Sequence, residues 1–246
     1  KRSCFYRNVL NGCYYIHLYL RKTKRCRSSL LIHHKLADLS QYFTEDELSK
    51  YVDSYIQEGY FNQDGALYLF PVAKSTEITM LNKTDWEPFA EAAGTTVDEL
   101  ATTEGIVQVA QRYYEWKDAQ TPDVPADGKA FYGRDSMSNY FLISMKQMGK
   151  ELFEVKDGKV TLNTDKELVR RIWDNYYVPF MKGYFASLGK FRSDDVKTGD
   201  VIAYTGSTSS AVYFPDSVET EDSSYPIFPE NLFLYSWKFC KWLQYL

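Results

Sequence analysis

The chain has 246 residues and a formal net charge of −4, from 29 Lys and Arg against 33 Asp and Glu. Hydrophobic residues make up 44% of the chain and charged residues 25%, which is typical of a globular protein and excludes disordered, collagen-like and coiled-coil proteins. At this length we expect one large domain or two small ones. The aromatic content of 17% is typical either of core packing or of a surface that binds a flat, amphipathic molecule.

Charge is distributed unevenly along the chain. Residues 1–35 contain nine basic residues and no acidic residue, so the remainder carries a formal charge of −13. Nucleic acids and anionic membranes are bound through Lys and Arg, and an acidic body is unsuited to both. We therefore expect no nucleic-acid partner.

Cysteine and histidine are absent from the middle of the chain. All three His and three of the four Cys lie within residues 1–35, and the fourth Cys is Cys240. This distribution excludes a Cys/His nucleophile pair, a Ser/His/Asp triad and a His/Cys zinc site from residues 36–227. The spacings within the basic segment match no zinc-binding motif either, so we expect no metal and no cofactor.

The two ends differ in composition from the body. Residues 1–35 lack the apolar run and the cleavage site of a secretory signal. Residues 228–246 are crowded with aromatic side chains, but they are interrupted by Lys238 and Lys241 and are too short to span a membrane. We interpret both segments as non-native structure that arises from translation in another reading frame or from cloning. They would then flank a genuine protein fragment, the body of the chain.

The first half of the body predicts helices and strands in turn. Thr44–Glu47 is a capping box that predicts a helix continuing to Gly59. The runs 66–71 and 76–82 predict two strands. Helical spacing resumes from Thr95 and reaches Tyr114, and a loop rich in Pro, Asp and Gly follows over residues 121–128.

The second half of the body continues this alternation. Its predicted elements are a helix capped by Asp135 and Ser136, a β-hairpin over 152–162, a helix from the capping box Thr164–Glu167 to Pro179, a strand over 201–204, and a helix from Ala211. Asp194 and Asp195 are interpreted as solvated loop acids. Because strands alternate with helices, we predict an α/β fold with a sheet that is covered on its faces.

Two polar segments of the body are candidates for ligand binding. Lys74–Thr76 lies between the two predicted strands of the first half. Residues 205–210 lie between a predicted strand and a predicted helix, which directs backbone N–H groups and hydroxyls beyond the end of the strand. The segment lacks the Lys and the spacing of a P-loop, so no nucleotide is implied, and an ordinary helix cap is the alternative.

Six short motifs of the body follow one another in a characteristic order. They are GALYLFPVAKSTE at 65–77, MLNK at 80–83, YGRDS at 132–136, WDNYYVP at 173–179, FRSDDVKTGD at 191–200 and GSTS at 206–209. With this order the chain resembles the bacterial extracellular solute-binding proteins of family 1, which are the receptors of sugar ABC importers. The resemblance covers residues 36–227.

The resemblance implies an α/β fold of the type II periplasmic-binding-protein kind, in which two lobes close on a ligand around a hinge. Residues 36–80 would be the end of the first lobe and the first hinge crossing, and residues 81–227 most of the second lobe. The first strand and helix units of the family, its signal segment and its return to the first lobe have no counterpart here. We therefore expect an incomplete fold and reduced or no ligand binding.

The resemblance also implies a function and partners. We expect a monomeric, non-enzymatic receptor that binds a small carbohydrate and docks on the permease subunits of an ABC transporter. Its location would be extracellular, either as a cell-surface lipoprotein or as a periplasmic protein.

A sugar presents apolar C–H faces and a rim of hydroxyls, so its receptor needs aromatic rings and polar side chains. Trp173 suits either such a ring or the core, and Asp135 suits either a ligand or a helix cap. The predicted ligand-binding residues are Ser75, Thr76, Tyr132, Arg134, Asp135, Ser136, Asn139, Tyr204, Gly206, Ser207, Thr208 and Tyr213.

Two other functions remain open at this point. A carbohydrate-active enzyme of the glycoside hydrolase kind needs neither His nor Cys, only two carboxylates that face each other across a cleft at about 5 to 10 Å. A non-binding scaffold protein would lack a concave, aromatic-lined surface.

Overall fold

The computed structural model describes residues 36–60, 64–70, 75–156 and 159–232. The interpretations of residues 1–35 and 233–246 lie outside these ranges. The described chain divides into two compact units at the boundary between Thr76 and Glu77. The domain boundaries expected at residues 80 and 227 stay a prediction.

The unit before this boundary contains short helices. The 3-10 helix Leu39–Tyr42 precedes α1 (Glu45–Leu48) and α2 (Asp53–Gln57). The predicted capping box is confirmed, because Thr44 Oγ1 accepts the Glu47 N–H at 3.2 Å while the Glu47 carboxylate accepts the Thr44 N–H at 2.9 Å. The prediction of one continuous helix is wrong, since Val52 adopts extended backbone angles and begins a new helix.

The strand predicted over 66–71 is not formed in its described part, residues 66–70. Leu67 is fully buried, its N–H donates to the Asp38 carboxylate at 3.2 Å, and its carbonyl accepts the Leu39 N–H at 2.7 Å. The backbone groups of Leu67 are therefore satisfied by an irregular segment and a helix end. The apolar run predicted a buried strand, but within its described part only Leu67 is buried and no strand forms.

The unit after the boundary is larger and mixes helices with strands. Its strands are β1 (Glu77–Asn82), β2 (Tyr132–Arg134), β3 (Phe153–Lys156), β4 (Lys159–Leu162), β5 (Ala203–Ser207), β6 (Ser217–Glu219), β7 (Ser224–Pro226) and β8 (Pro229–Leu232). Its helices are α3 (Lys83–Ala93), α4 (Thr103–Asp118), α5 (Met137–Gln147), α6 (Lys166–Asp174), α7 (Tyr177–Met181), α8 (Arg192–Lys197), and the 3-10 helices Val97–Ala101 and Thr208–Tyr213.

Four of these strands form the central sheet, in the order β2–β5–β1–β8. β5 is parallel to β2 and antiparallel to β1, and β1 is antiparallel to β8. The pairs β3–β4 and β6–β7 form two separate hairpins.

The central sheet is covered on both faces. Neighbouring residues of a strand point to opposite faces, and Met80 and Leu81 of β1 belong to two different buried clusters. One cluster is rich in aromatic side chains from α3 and α4, including Trp86, Phe89 and Tyr113. The prediction of an α/β fold with a covered sheet is confirmed.

Several predicted elements are confirmed in place. β1 and the β3–β4 hairpin form as predicted, and residues 121–128 form a loop of turns. The helix predicted from Thr164 to Pro179 forms as two, because Tyr176 leaves helical backbone angles between α6 and α7. Asp165 rather than Thr164 caps α6, and Pro179 lies within α7.

Four further segments differ from their predictions. The helix predicted from Ala211 is instead the 3-10 helix Thr208–Tyr213. α3 was not predicted, although the Asn82 side chain caps it and accepts the Asp85 N–H at 3.3 Å. β5 extends to Ser207, because its last residues pair with β1, so half of the loop predicted over 205–210 is strand. β8 pairs with β1, so the first residues of the aromatic tail belong to the sheet.

None of the helices within the described ranges is long and apolar enough to cross a membrane.

Candidate functional site

Three strand ends meet at one edge of the central sheet. Because β1 runs antiparallel to β5, its first residue, Glu77, pairs with Ser207 at the end of β5. Because β2 runs parallel to β5, its last residue, Arg134, pairs with Thr205. We call this the polar edge and define it by Glu77, Arg134, Asp135, Ser136, Asn139, Gly206, Ser207 and Thr208.

A buried ion pair forms the base of the polar edge. The side chains of Arg134 and Glu77 are 7% and 9% exposed and form an ion pair, and Asn139 Nδ2 donates to Glu77 Oε1 at 2.9 Å. The Arg134 guanidinium also lies 5.1 Å from the centre of the Tyr140 ring. No described residue accepts a hydrogen bond from the buried Arg134 Nε. Glu77 therefore neutralises Arg134 and orients Asn139.

Asp135 follows β2 directly and is partly buried. Its backbone N–H donates to the Thr205 carbonyl at 3.1 Å, which continues the pairing of β2 with β5. Its Oδ1 accepts the Arg192 backbone N–H at 2.9 Å, whereas none of the hydrogen bonds among the described residues involves Oδ2. Burial raises the pKa of Asp135, and the Arg192 N–H and positive charge oppose that rise. Asp135 thus presents a partly desolvated carboxylate with one acceptor oxygen unused.

Gly206 makes room for this carboxylate. A Cβ atom at position 206 would lie 2.6 Å from Asp135 Oδ2 and 2.8 Å from Ser210 Oγ. Both distances are shorter than any ordinary van der Waals contact, so a side chain here would displace Asp135 or Ser210.

Two of the serines at the polar edge cap helices. Ser136 Oγ accepts the Asn139 N–H at 3.2 Å and begins α5. Ser207 Oγ accepts the Ser209 N–H at 3.2 Å and begins the 3-10 helix Thr208–Tyr213. Helix caps of this kind use the hydroxyl oxygen as an acceptor, which fixes the position of the side chain.

The structure places the predicted tyrosines differently from one another. Tyr132 and Tyr204 are almost fully buried, whereas Tyr213 is 71% exposed. Tyr132 Oη donates to Thr205 Oγ1 at 2.6 Å, and the Tyr204 ring stacks on Phe214 with 6.1 Å between the ring centres. The rings of Tyr132 and Tyr204 therefore lie in the core and support the sheet, instead of presenting an open face to a ligand as expected from the sequence.

Ser75, Thr76 and Trp173, which were also considered as ligand contacts, lie outside the polar edge as defined here. Ser75 and Thr76 belong to the unit before the boundary and immediately precede β1; Ser75 is partly buried and Thr76 is exposed. Trp173 is 47% exposed on α6 and stacks on Tyr177 with 4.2 Å between the ring centres, so it lies outside the core.

Sequence reasoning missed three residues that shape the polar edge: Glu77, Arg192 and Asp195. The interpretation of Asp195 as a solvated acid is wrong, because it is 1% exposed and forms a buried ion pair with Arg192. The only sequence signal for them was the occurrence of all three within the quoted motifs. Asp194 is at the surface of the same turn and accepts the Phe191 N–H at 3.0 Å.

A cavity of about 350 Å³ lies elsewhere in the same unit. Its lining includes Asp85, Tyr113, Lys117, Lys129 and Tyr225. It contains none of the residues predicted as ligand-binding.

Comparison with known sequences identifies a family. The family model described as "Bacterial extracellular solute-binding protein" matches residues 28–234. A search of the curated proteins gave no sequence match.

Comparison with solved structures identifies the fold. UgpB from Mycobacterium tuberculosis in complex with glycerophosphocholine superposes with a TM-score of 0.57 at 17% identity, over 89% of this chain and 49% of that one. The galacto-N-biose/lacto-N-biose I-binding protein of the ABC transporter from Bifidobacterium longum, in complex with lacto-N-biose, superposes with a TM-score of 0.52 at 16% identity. The superposition covers 73% of this chain and 41% of that one. A family 1 extracellular solute-binding protein from Alicyclobacillus acidocaldarius superposes with a TM-score of 0.50 at 16% identity, over 83% of this chain and 52% of that one.

These similarities confirm the predicted fold class, an α/β fold of the type II periplasmic-binding-protein kind. The chain spans about half the length of each of these three structures.

Proposed function

Because the chain belongs to the bacterial extracellular solute-binding proteins, we propose that it binds an uncharged sugar or oligosaccharide at the polar edge as the receptor of an ABC importer. Membership of this family implies a location in the periplasm or at the cell surface. Attachment to the membrane through a lipid and docking on permease subunits as a monomer belong to the same proposal.

The observation that carries the proposal is the geometry of Asp135. One carboxylate oxygen accepts the Arg192 N–H, and the other has no hydrogen bond among the described residues. A partly buried charged acceptor without a donor is unfavourable, and a ligand hydroxyl that donates to it removes that penalty. This geometry favours a ligand that is rich in O–H donors.

Charge at the polar edge favours an uncharged ligand over an anionic one. Arg134 is neutralised by Glu77, and Arg192 is neutralised by Asp195. Asp135 therefore leaves the edge with a net negative charge, which disfavours a phosphate or a carboxylate. Of the two ligands in the similar structures, lacto-N-biose is an uncharged sugar and suits this edge, whereas glycerophosphocholine contains an anionic phosphodiester.

The hydrogen bonds of the Glu77 carboxylate, which neighbours Asp135, favour a receptor over a glycoside hydrolase. Glycoside hydrolysis needs a second carboxylate that is available to act as a nucleophile or base. Both oxygens of Glu77 already have partners, Arg134 on one and Asn139 on the other. We therefore propose a receptor that performs no chemistry on its ligand.

We expect weak binding by the 246-residue chain. The polar edge supplies few hydrogen bonds, and each one to a charged group contributes about 1.5 to 3 kcal/mol. Association also costs translational and rotational freedom, so a few such bonds correspond to an affinity on the order of 1 mM.

The test is a titration of the ¹⁵N-labelled chain with lacto-N-biose, followed by ¹H–¹⁵N TROSY spectra, which detect weak binding residue by residue. We expect saturable shifts at the amides of Asp135, Asn139 and Thr208, and no saturable shifts with glycerophosphocholine.

Two variants provide the comparison. Asp135→Asn removes the charge at the polar edge and should abolish the saturable shifts. Asp174→Asn removes an exposed acid that pairs with Arg170 on α6 and should leave them unchanged. Shifts that map to the cavity around Lys117, or that persist in Asp135→Asn, would contradict the proposed site.

A further inference from the structure

We propose that the buried ion pair between Arg192 and Asp195 is a positioning device that holds the Asp135 carboxylate in its ligand-binding orientation. This inference rests on the proposed function, because the orientation matters only if Asp135 contacts a ligand. Neither residue of the pair has to touch the ligand itself.

The pair organises the segment that precedes α8. Asp195 Oδ2 accepts the Leu188 N–H at 3.2 Å, and its Oδ1 accepts the Gly189 N–H. Arg192 Nη2 donates to the Gly189 carbonyl at 2.6 Å, and Nη1 donates to the Ala186 carbonyl at 3.3 Å. Both charged side chains are thus surrounded by backbone donors and acceptors of residues 186–189.

This segment is in turn attached to β2. The Ala186 N–H donates to the Tyr132 carbonyl at 3.0 Å. A Cβ atom on Gly133 would lie 2.6 Å from the Ala186 carbonyl oxygen and 2.8 Å from Arg192 Cδ. The ion pair therefore lies directly against the strand whose last residue precedes Asp135.

The backbone N–H of Arg192 connects the pair to the polar edge. It donates to Asp135 Oδ1 at 2.9 Å. With Oδ1 held in this way, Oδ2 lies against Gly206 and has no hydrogen bond among the described residues. A shift of the first turn of α8 would release Oδ1 and let the carboxylate rotate.

Stability alone is a poor explanation for burying these two charges. Desolvation of a buried ion pair often cancels its Coulombic gain, and apolar replacements of similar volume are often as stable. A buried pair with fixed geometry does, however, define a single position for the backbone around it. The function of the ion pair is therefore to hold the Arg192 backbone N–H at the position from which it donates to Asp135 Oδ1.

The same helix offers a matched control. Lys197 Nζ lies 3.0 Å from Glu219 Oε2, and both side chains are about half exposed. Lys197→Arg therefore exchanges one basic residue for another in α8 without touching residues 186–189. Arg192→Lys makes the reverse exchange at the buried pair, where a single ammonium group cannot reproduce the planar donor arrangement of Arg.

The experiment compares both variants in lacto-N-biose titrations and in the titration of the Asp135 carboxyl followed by ¹³C NMR without ligand. For Arg192→Lys we expect about tenfold weaker binding, as for the loss of one hydrogen bond to a charged group. We also expect the pKa of Asp135 to rise further, because the charge at position 192 is kept while the backbone N–H of residue 192 moves away from Asp135 Oδ1. Lys197→Arg should match the wild type in both measurements.

The outcomes separate this inference from the proposed function. If Arg192→Lys is less stable in urea but keeps the wild-type affinity and Asp135 titration, the pair is merely structural and the inference fails. If the wild type does not bind lacto-N-biose, the proposed function fails, and an unchanged ¹³C titration in Arg192→Lys would independently overturn the positioning of Asp135. Asp195→Asn, which keeps the shape of the side chain, serves as the second variant and should weaken binding in the same direction.

Discussion

Gly206 shows at the scale of one residue how packing fixes the chemistry of the polar edge. The absence of a side chain lets Asp135 Oδ2 and Ser210 Oγ approach the backbone of β5. The left-handed region is not involved, since Gly206 lies in an ordinary strand. Its role is therefore steric, and substitution tests it directly.

We predict that Gly206→Ala displaces Asp135. The added methyl group overpacks a buried site, and such changes destabilise by about 1 to 3 kcal/mol. Urea unfolding should show this loss, and the lacto-N-biose shifts at Asp135 should weaken. Val212→Ala, at an exposed position of the following 3-10 helix, should change the free energy of unfolding by less than about 0.5 kcal/mol. If Gly206→Ala is as stable as the wild type and binds lacto-N-biose equally well, the steric role of Gly206 is contradicted.

Residue-scale predictions from the sequence were correct where the signal is local. Ser136 was predicted to start a helix and does so, because a cap depends on the next three residues. Glu77 was missed because its partner, Arg134, lies 57 residues away and is brought to it by strand register. Arg192 and Asp195 are only three residues apart, but that spacing does not reveal that their ion pair is buried.

At the scale of elements, α5 carries two groups of the polar edge, Ser136 and Asn139. The Ser136 cap fixes the start of the helix and hence the position of the Asn139 side chain, which donates to Glu77. The cap is therefore both a stabilising element and a support for the site.

We predict that Ser136→Ala costs about 1 kcal/mol of stability and also weakens lacto-N-biose binding. Thr102→Ala is the matched variant, because Thr102 caps α4 in the same way and accepts the Gly105 N–H at 3.0 Å. It should cost a similar free energy in urea unfolding and leave the titration unchanged. If Ser136→Ala and Thr102→Ala bind lacto-N-biose with the same affinity, the Ser136 cap does not support the site and the prediction is wrong.

Elements were predictable when they were defined by local patterns and less so when pairing defined them. The β3–β4 hairpin follows from two short apolar runs around a turn. β5 was predicted too short, because the Gly and Ser residues at its end have low strand propensity and are held in the sheet by pairing with β1. α3 was overlooked because Pro88 interrupts an otherwise helical segment, although the helix continues through it.

At the scale of the whole molecule, the order of short motifs predicted the fold more strongly than any single motif. Sequence identity to the similar solved structures is only 16 to 17%, yet the α/β arrangement is shared. Fold information is spread over the hydrophobic pattern of many residues, whereas ligand choice depends on a few side chains. For this reason the fold was predictable from the sequence, and the ligand stays a proposal.

The arrangement of the central sheet explains why a site forms at this edge. The start of β1 and the ends of β2 and β5 come together only through the mixed parallel and antiparallel order. The polar residues at and beyond the ends of β2 and β5, from Asp135 and from Ser207 onward, are partly buried rather than fully buried, and ligand-binding crevices of other α/β sheets lie beyond such strand ends.

The proposed binding at the polar edge depends most on direct contact between the Asp135 carboxylate and a ligand hydroxyl. Burial raises the pKa of Asp135 in the free protein, and a hydroxyl that donates to the ionised carboxylate stabilises that form, so the pKa must fall when the ligand binds. By the same linkage, binding strengthens as the pH rises through this pKa and weakens as the pH falls through it.

The most direct measurement is the ¹³C titration of the Asp135 carboxyl in the 246-residue chain, with and without saturating lacto-N-biose. We predict that the sugar lowers the pKa of Asp135. A pKa that stays the same or rises, while other amides show saturable binding, would place the ligand elsewhere and contradict the account.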